Sequence, residues 1–560
     1  MNSQFTVSDY LLQRLQEIGI KHLFGVPGDY NLDFLDDVME SPIKWVGNCN
    51  ELNAGYAADG YARLNGIGAA VVTYGVGGFS IINAVAGAYA EHVPVIIING
   101  APPARRREAG AMVHHLVSNY YLQFDIFKKI TIDAVLLVDS ATAPEEIDRV
   151  IGNCMAHKLP AYIELPADIT HAPCHSPKGP LTVLPLTSNS DTLEECTREA
   201  AGLLNKSTSP MILAGVELLR FGLGDQTLQL IETSEVPFAT MLSSKSVVPE
   251  LHPQFTGIYQ GAWSKNAVRL QVENSDCLLS LGTLMTDTDT GLFSINLDTR
   301  RMITVAGGQA RIGNHIYDQV QLGDFIRELT LLAEPRSYMA SHPAVSFSPR
   351  QPFIAVPSCE LTAPRLYKCI NSYLNDQMIL LSEPGDSFCA TPEFNIEEAE
   401  NFIVQAYYCS IGFCTPAALG VAMSRPSKRP VVLTGDGAFQ MTAQEVSTLI
   451  RERCPAIIII INNDGYLIER RLHKDGIYND IQKWQYSKLP EVFEEESLVT
   501  GIKFVAAIKV TTEEELEQAM KTAIADKDKL IFIEACLPNR TCSEGLERLG
   551  NSYKMSLQKQ

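Results

Sequence analysis

Short apolar runs recur along the whole chain and alternate with segments in which apolar residues follow a helical period. These runs are rich in valine and isoleucine, and most carry no charged side chain. Strands of this kind are typical of a parallel sheet that helices cover on both faces. The pattern therefore predicts an α/β fold built from mainly parallel sheets flanked by helices. The clearest runs are residues 69–73, 93–99, 161–165, 211–214, 277–281, 302–305, 431–434, 457–461 and 530–535.

Two proline-rich segments, residues 171–189 and 334–364, interrupt this alternation. Proline fixes φ and lacks a backbone donor, so such segments are typical of extended linkers rather than of domain interiors. We therefore expect three domains of similar size, residues 1–185, 186–350 and 351–560. A short-period repeat, which would indicate a solenoid or a propeller, is absent from the sequence.

Two long uncharged stretches, residues 64–90 and 401–424, have the length of a membrane span. Glycine, asparagine, glutamine or proline interrupts each of them, as in strand–loop–helix units of a buried core. We therefore expect no association with a membrane. The first ten residues carry neither a basic segment nor an apolar one, which argues against a secretory signal.

The amino-acid composition excludes further classes of protein. The 560 residues include 45 lysines and arginines against 65 aspartates and glutamates, so the formal charge is −20. This acidity argues against nucleic-acid binding, which needs a basic surface. The thirteen cysteines are scattered and form no C-x-x-C pair. Reduced thiols in a cytoplasmic protein are the simplest interpretation.

The strongest chemical signal lies in the last third of the chain. Gly435-Asp436-Gly437 follows one apolar run, and Asn462-Asn463 ends the next. Glycines between a strand and a helix turn backbone N–H groups toward a phosphate. Carboxylate and amide oxygens at two strand ends suit Mg²⁺ that also binds a diphosphate. Two unrelated tight turns are the alternative, which Gly-Asp-Gly alone would not exclude.

These motifs resemble those of thiamine-diphosphate enzymes, and the resemblance extends over nearly the whole chain. It is closest to the pyruvate decarboxylase group, which includes the indolepyruvate, phenylpyruvate and branched-chain 2-oxo acid decarboxylases. The resemblance implies non-oxidative decarboxylation of a 2-oxo acid to an aldehyde and CO₂. It also implies a pyrimidine-binding first domain, a structural central domain and a diphosphate-binding third domain. Besides the motif above, it rests on residues 25–32 (GVPGDYNL), 50–54 (NELNA), 114–115 (HH) and 462–470 (NNDGYLIER).

The resemblance assigns residues to the cofactor. Mg²⁺ would be held by Asp436, Asn463 and the backbone carbonyl of Gly465. The side chain of Ile411 would prop the cofactor in a bent shape, although an isolated isoleucine is ordinarily a core residue. The expected cofactor-binding residues are Glu51, Gly385, Asp386, Ser410, Ile411, Gly435, Asp436, Gly437, Ala438, Asn463, Gly465, Tyr466 and Leu467.

The same resemblance assigns the catalytic groups. Glu51 would hydrogen-bond the pyrimidine ring and promote formation of its imino tautomer, which needs a sheltered carboxyl. Asp29, His114, His115 and Glu469 would form a polar relay around the reacting carbon. A metal shared by the two histidines is the alternative, but adjacent side chains on a helix diverge, which argues against it.

The expected substrate pocket contains Thr288, Phe388, Cys389, Leu467, Ile468, Leu549 and Tyr553. Cys389 is much smaller than the phenylalanine that relatives often carry there, so we expect a substrate larger than pyruvate: an aromatic, branched or medium-chain 2-oxo acid. Pro384 replaces a polar residue of relatives and removes one contact. Residues 215–217 (GVE) lack the cysteine linked to substrate activation in yeast-type enzymes, which predicts hyperbolic kinetics.

Other interpretations stay open at this point. They are a carboligating synthase such as acetolactate synthase, a pyruvate-preferring decarboxylase, a flavin- or nicotinamide-dependent oxidoreductase, and a catalytically silent relative. The Leu281-Gly282-Thr283 turn is too weak a signal for a dinucleotide site. The family's active site lies between two chains, which implies at least a homodimer, and we expect a homotetramer.

Overall fold

A computed structural model describes residues 4–335, 350–494 and 503–557. Residues 336–349, which include part of the second proline-rich segment, lie outside the described residues. Three sheets, each flanked by helices, follow one another along the chain.

The first sheet has six strands, all parallel, in the order β2-β1-β3-β4-β6-β5. Its central strands are buried along their whole length, as the apolar runs predict. The strands are β1 (His22–Gly25), β2 (Lys44–Gly47), β3 (Gly68–Thr73), β4 (Val95–Ala101), β5 (Asp133–Leu136) and β6 (Ala161–Pro166). The helices of this region are α1 (Val7–Glu17), α2 (Leu32–Glu40), α3 (Glu51–Asn65), α4 (Val76–Ala90), α5 (Ala104–Glu108), α6 (Leu122–Ile130), α7 (Ala143–His157) and α8 (Ala167–Thr170).

The second sheet has seven strands in the order β13-β12-β11-β10-β7-β8-β9. Two antiparallel strands at one edge extend an otherwise parallel sheet, a feature that the sequence pattern did not predict. The strands are β7 (Pro210–Ala214), β8 (Phe238–Thr240), β9 (Phe255–Ile258), β10 (Cys277–Leu281), β11 (Met302–Ala306), β12 (Gln309–Ile312) and β13 (His315–Asp318). The helices are α9 (Ser190–Lys206), α10 (Val216–Arg220), α11 (Gly224–Ser234), α12 (Asn266–Glu273) and α13 (Leu322–Leu332).

The third sheet has six parallel strands in the order β15-β14-β16-β17-β19-β18. Its strands are β14 (Met378–Ser382), β15 (Phe402–Val404), β16 (Arg429–Gly435), β17 (Ile457–Asn462), β18 (Val505–Val510) and β19 (Leu530–Cys536). The helices are α14 (Ala363–Tyr373), α15 (Asp386–Ala390), α16 (Cys414–Ser424), α17 (Asp436–Thr442), α18 (Glu445–Arg451), α19 (Leu467–Leu472), α20 (Leu489–Phe493), α21 (Glu513–Ala525) and α22 (Glu544–Leu557).

The chain divides into two compact units. The first contains residues 1–186, 413–427 and 442–454, and the second contains residues 187–412, 428–441 and 455–560. The first unit thus combines the first sheet with two helices from the last third of the chain, α16 and α18. The domain boundaries expected at 185/186 and 350/351 stay a prediction.

Within the first unit, α3 and α16 pack closely enough that glycine is required on both helices. A Cβ on Gly60 would lie 2.4 Å from the carbonyl oxygen of Ala417, and one on Gly420 would lie 1.9 Å from that of Ala57. Larger residues would separate the helices. This contact holds α3, whose first residue is Glu51.

The predicted α/β class with three mainly parallel sheets is confirmed, and all nine apolar runs form strands. The thirteen cysteines all lie in described residues, and none of them forms a disulfide. Within the described part of the chain, no helix is both long and apolar enough to span a membrane.

Candidate active site

The end of β16 and the end of β17 bring Asp436 and Asn463 together in the second unit. The two strands are parallel neighbours, and their register pairs Gly435 with Ile461. The buried carboxylate of Asp436 accepts hydrogen bonds from the backbone N–H groups of Gly437 (2.8 Å), Asn463 (3.2 Å) and Gly465 (3.0 Å). These contacts hold the turn of residues 463–466 against the start of α17.

Two glycines allow this close approach. Gly437 lies under the ring of Tyr466, where a Cβ would be 2.5 Å from the ring carbon Cε1. Gly465 has φ of +129°, and its Cβ would lie 2.2 Å from the carbonyl oxygen of Asn479. Any other residue at either position would push the turn away from Asp436.

A cavity of about 100 Å³ opens beside this turn. A Cβ on Gly435 or on Gly385 would meet no atom within 4 Å, so the backbone borders open space at both points. The side chains of Leu467, Ile468 and the exposed Glu469, all on the first turn of α19, also face the cavity. Its lining is completed by Pro384, Asp386, Ser387, Ile411, Asp436, Gly437, Ala438, Ile461, Asn463, Gly465 and Tyr466.

The polar groups of this cavity fit a divalent cation and a diphosphate. Oδ1 of Asn463 is buried and has no hydrogen-bond partner in the described structure, so it is free to bind a ligand. Burial raises the pKa of Asp436 to about 6, against the lowering effect of the backbone N–H groups. A cation beside the carboxylate would favour its ionised form. The carbonyl of Gly465 accepts a hydrogen bond from the N–H of Leu467 and retains a second lone pair.

Asp386 and Ser410, two of the expected cofactor-binding residues, also have structural partners. The carboxylate of Asp386 accepts hydrogen bonds from the backbone N–H (2.9 Å) and hydroxyl (2.7 Å) of Ser543 and from the hydroxyl of Tyr367 (3.0 Å). Burial raises its pKa. The N–H of Ser410 donates to Oε1 of Gln405 at 2.7 Å, and Ser410 does not line the cavity.

Asp29, His114 and His115 come together in the first unit. Nε2 of His114 lies 2.6 Å from Oδ2 of Asp29, and the His114 ring stacks on Tyr30 with centroids 4.9 Å apart. The two histidine rings meet edge to face at 4.5 Å. Nδ1 of His115 is buried and has no hydrogen-bond partner in the described structure.

The sequence argument against a metal at the two histidines assumed that they lie on a helix, and the structure shows that this assumption is wrong. The histidines lie in a turn, where His115 has φ of +66°, and not on a helix. Candidate ligand atoms of Asp29 and both histidines lie within 4.8 Å of one another. The distance between His114 and Asp29 is, however, that of a short charge-assisted hydrogen bond, as a proton relay requires.

Glu51 is the first residue of α3. The side chain of Asn50 caps this helix by accepting a hydrogen bond from the N–H of Asn53 at 2.9 Å. Oε1 of Glu51 lies 3.2 Å from the position of a Cβ on Gly77, so it packs against the start of α4. The side chain is half-buried, which agrees with a carboxyl that is partly shielded from water.

Sequence reasoning missed a second glutamate, Glu445, that holds the segment around Glu51. The Glu445 carboxylate, which is fully buried, accepts hydrogen bonds from Nδ2 of Asn48 (2.8 Å), Nδ2 of Asn53 (2.6 Å) and the N–H of Cys49 (3.3 Å). It is almost 400 residues away along the chain, so no local pattern indicates the contact. The buried carboxylate fixes the residues on both sides of Glu51.

Three thiamine pyrophosphate enzyme family models match the chain. The N-terminal TPP-binding domain matches residues 5–123, the central domain residues 197–331, and the C-terminal TPP-binding domain residues 386–535. The alpha-keto-acid decarboxylase of Mycolicibacterium paratuberculosis is 36% identical over 540 residues, covering 95% of this chain and 94% of that protein. The alpha-keto-acid decarboxylase of Mycobacterium ulcerans is 36% identical over 554 residues, covering 98% and 96%.

The chain belongs to the thiamine-diphosphate-dependent 2-oxo acid decarboxylase family. It is therefore an enzyme of the carboxy-lyase class, as the sequence predicted. The decarboxylase carries Glu51 and the histidine pair in its first unit, and Asp436, Asn463 and Glu469 in its second unit. The role of each residue stays a prediction.

The expected substrate-pocket residues of the decarboxylase divide into two groups. Leu467 and Ile468 line the cavity. Phe388 and Cys389, on α15, and Leu549, on α22, are buried in the hydrophobic core and do not line it. A Cβ on Gly545 would lie 1.8 Å from the carbonyl oxygen of Cys389, so α22 packs directly on α15.

Thr288 and Tyr553 also lie away from the lining of this cavity. The hydroxyl of Thr288 donates to the carbonyl oxygen of Ala406 at 2.6 Å, which fixes the segment that follows β15. Tyr553 is half-buried on α22. Sequence reasoning missed Ser387 and Ile461, which line the cavity, and Tyr30, which stacks on His114. The sequence signal that could have identified Tyr30 as a site residue is its position directly after Asp29.

Proposed function

We propose that this enzyme converts bulky 2-oxo acids, aromatic, branched or medium-chain, to the corresponding aldehydes and CO₂, with thiamine diphosphate and Mg²⁺ as cofactors. The observation that carries the metal part is the buried, unpartnered Oδ1 of Asn463 beside the buried carboxylate of Asp436. Hard oxygen donors at adjacent strand ends are the ligands that Mg²⁺ prefers when it also binds a diphosphate. Asp436, Asn463 and the Gly465 carbonyl would hold the ion.

Bound thiamine diphosphate supplies a nucleophilic carbon and an electron sink for decarboxylation. The backbone N–H groups at the start of α17 would bind the diphosphate. Ile411 would support the bend of the cofactor and exclude water from the cavity. Glu51 would hydrogen-bond the pyrimidine ring through its carboxyl group and exchange a proton with it.

The histidine pair would handle the later proton transfers. Oδ2 of Asp29 lies 2.6 Å from Nε2 of His114 and so orients the ring. His114 could thus deliver a proton and regain it through the same contact. Glu469 would supply a second carboxyl group for proton transfer from the cavity side.

The preference for bulky substrates rests on side-chain size. Leu467 and Ile468 give the cavity an apolar wall, which favours an apolar substrate side chain. Cys389 lies in the core and not on this wall, but it is on α15, whose residues Asp386 and Ser387 line the cavity, so a phenylalanine there would displace α15. A homodimer is the minimum assembly that the family resemblance supports, and we propose a homotetramer. The proposed cytoplasmic location rests on the sequence alone.

The test is a comparison of kcat/KM for pyruvate, phenylpyruvate, indolepyruvate and 2-oxoisocaproate, with CO₂ release and aldehyde formation measured together. We expect a higher kcat/KM for at least one bulky acid than for pyruvate, and hyperbolic rate curves. Glu51→Gln is the inactive control, because it keeps the shape of the side chain and removes the carboxyl. A clear preference for pyruvate would refute the substrate proposal. A hydroxyketone as the main product would indicate a carboligase instead.

A further inference from the structure

The loop of residues 473–480 packs against the turn of residues 463–466, which carries two of the proposed metal ligands. The N–H of Tyr466 donates to the carbonyl oxygen of Asn479 at 2.9 Å. That same oxygen occupies the space next to Gly465 where a Cβ would otherwise lie. Asn479 is 2% exposed although the residues before it, Ile477 and Tyr478, are exposed. The loop therefore supports the metal-binding turn from outside the cavity.

One side chain, Arg470, joins this loop to the turn. It lies on α19 and is only 9% exposed. Its Nη2 is 2.5 Å from Oδ1 of Asp480 and 3.3 Å from the carbonyl oxygen of Asp464, and its Nε is 3.1 Å from Oδ1 of Asp475. A single guanidinium thus contacts the middle and the end of the loop as well as the residue next to Asn463.

The guanidinium is suited to this task because it is planar, permanently charged and rigid in the directions of its donors. Hydrogen bonds from Nη2 to Asp480 and to the Asp464 carbonyl, with an ion-pair contact from Nε to Asp475, fix three backbone segments relative to one another. A lysine, with one ammonium group on a flexible chain, could not reach all three partners. The guanidinium itself is shielded from water, whereas the side chains of Asp475 and Asp480 are 50% and 64% exposed. The buried part of this contact is therefore the cation, which would lose solvation without its partners.

A second ion pair on the same turn provides the contrast. Nζ of Lys483 lies 2.8 Å from Oδ2 of Asp464, but the lysine and aspartate side chains are 73% and 45% exposed. Exposed pairs of this kind contribute little to structure. The two interactions hold the same turn and differ mainly in the burial of the cation and in the number of its partners.

We propose that Arg470 is a positioning residue that sets the geometry of the metal-binding turn and so makes the site selective for Mg²⁺ over Ca²⁺. The inference rests on the proposed function, in which Asp436, Asn463 and Gly465 hold the ion. Mg²⁺ requires near-ideal octahedral geometry with short bonds, whereas Ca²⁺ accepts longer bonds and irregular geometry. A turn held less firmly would therefore lose affinity for Mg²⁺ and retain affinity for Ca²⁺.

The selectivity ratio separates positioning from a general effect on folding. If Arg470 only stabilised the fold, its removal would weaken binding of both cations by the same factor. If it positions the turn, the Mg²⁺ affinity falls and the Ca²⁺ affinity changes much less. Measuring both ions on the same protein makes the two roles distinguishable.

The experiment titrates metal-free full-length enzyme, saturated with thiamine diphosphate, with MgCl₂ or CaCl₂ and measures binding by calorimetry. We expect Arg470→Met to weaken Mg²⁺ binding at least tenfold and Ca²⁺ binding less than threefold. The matched control Lys483→Met should change either affinity less than twofold. Asp480→Asn, which keeps the shape of the side chain, should shift the ratio in the same direction by a smaller factor and serves if Arg470→Met does not fold.

Equal weakening of both ions, or an unchanged Mg²⁺ affinity in Arg470→Met and Asp480→Asn, would overturn the inference while leaving the proposed function intact. Absence of Mg²⁺ binding in the unmodified enzyme would overturn the proposed metal site itself, and the positioning role with it. An effect of Lys483→Met as large as that of Arg470→Met would also overturn the assignment, because it would attribute the geometry to any charge on the turn.

Discussion

A buried ion pair in the second unit links the segment after β8 to the segment before β15. Nζ of Lys245 lies 2.6 and 2.7 Å from the two carboxylate oxygens of Glu250 and donates to the carbonyl oxygen of Phe394 at 2.9 Å. Glu250 also accepts a hydrogen bond from the N–H of Ile396 at 2.9 Å. Both charged side chains are fully buried. We predict that Glu250→Gln destabilises the protein strongly.

The expected loss of stability in Glu250→Gln can be estimated from the distances in the ion pair. At about 2.7 Å and an effective dielectric constant of about 20, the attraction between unit charges is about 6 kcal/mol. The glutamine oxygen would still accept one hydrogen bond from Lys245, a contact to a charged donor of about 1.5–3 kcal/mol. The difference is about 3–5 kcal/mol, which agrees with the usual cost of removing one partner of a buried pair. The expected fall in Tm is about 4–7 °C.

The stability of Glu250→Gln should depend on pH, and the direction follows from the pKa of Lys245. Burial lowers the pKa of Lys245, while Glu250 opposes that effect. Loss of the counter-charge lowers the pKa further, so the folded variant binds fewer protons than the unfolded chain. Stability of Glu250→Gln then rises with pH as the lysine becomes neutral. The deficit relative to the unmodified enzyme should therefore be smaller at pH 9 than at pH 7.

Thermal unfolding of the unmodified enzyme, Glu250→Gln and the double variant Lys245→Met/Glu250→Gln, each at several pH values, tests this reasoning. The double variant should recover most of the lost stability, because it leaves no unpaired buried charge. A Tm for Glu250→Gln within 1 °C of the unmodified enzyme would refute the reasoning. So would a double variant less stable than the single one.

Three further predictions concern single side chains. Asp436→Asn should weaken Mg²⁺ binding by on the order of 100-fold, measured by calorimetry with thiamine diphosphate present, because the ion loses a charged ligand; an unchanged affinity would exclude Asp436 as a ligand. Cys389→Phe should lower the Tm through overpacking against α22. By displacing α15, which carries the cavity residues Asp386 and Ser387, it should also move kcat/KM toward pyruvate by about 1–3 kcal/mol, with Cys389→Ser as the size-matched control. Burial raises the pKa of Glu164 to about 7, so stability should fall by about 3 kcal/mol as the pH rises from about 4.5 through 7; Glu164→Gln should abolish that slope in denaturation midpoints.

Edge strands show where the sequence pattern stops being informative. β13 is largely exposed and β2 is only partly buried, and both carry mixed side chains, so no apolar run marks them. The strands of the sheet centres, such as β17, are buried along almost their whole length and appear in the sequence as continuous isoleucine. A strand can thus be predicted when burial restricts its composition on both faces, and not when one face meets water.

Some contacts of the candidate site could likewise be predicted from the sequence, and others could not. Gly435, Asp436 and Asn463 could be predicted to meet because parallel neighbouring strands carry their ends to one edge of a sheet. The placement of His114 and His115 could not, since a turn with positive φ, and not a helix, presents both rings beside Asp29. Adjacent residues alone do not specify that backbone conformation.

The sequence by itself determined the α/β class, the family and the set of residues available for catalysis, because local periodicity and short motifs carry that information. Only the tertiary structure revealed that Glu445 holds the segment of Glu51 and that Arg470 joins the loop to the metal-binding turn. It also placed Cys389 in the core rather than on the cavity wall. These contacts depend on how distant segments pack against one another, and packing of distant segments leaves no periodic signal along the chain.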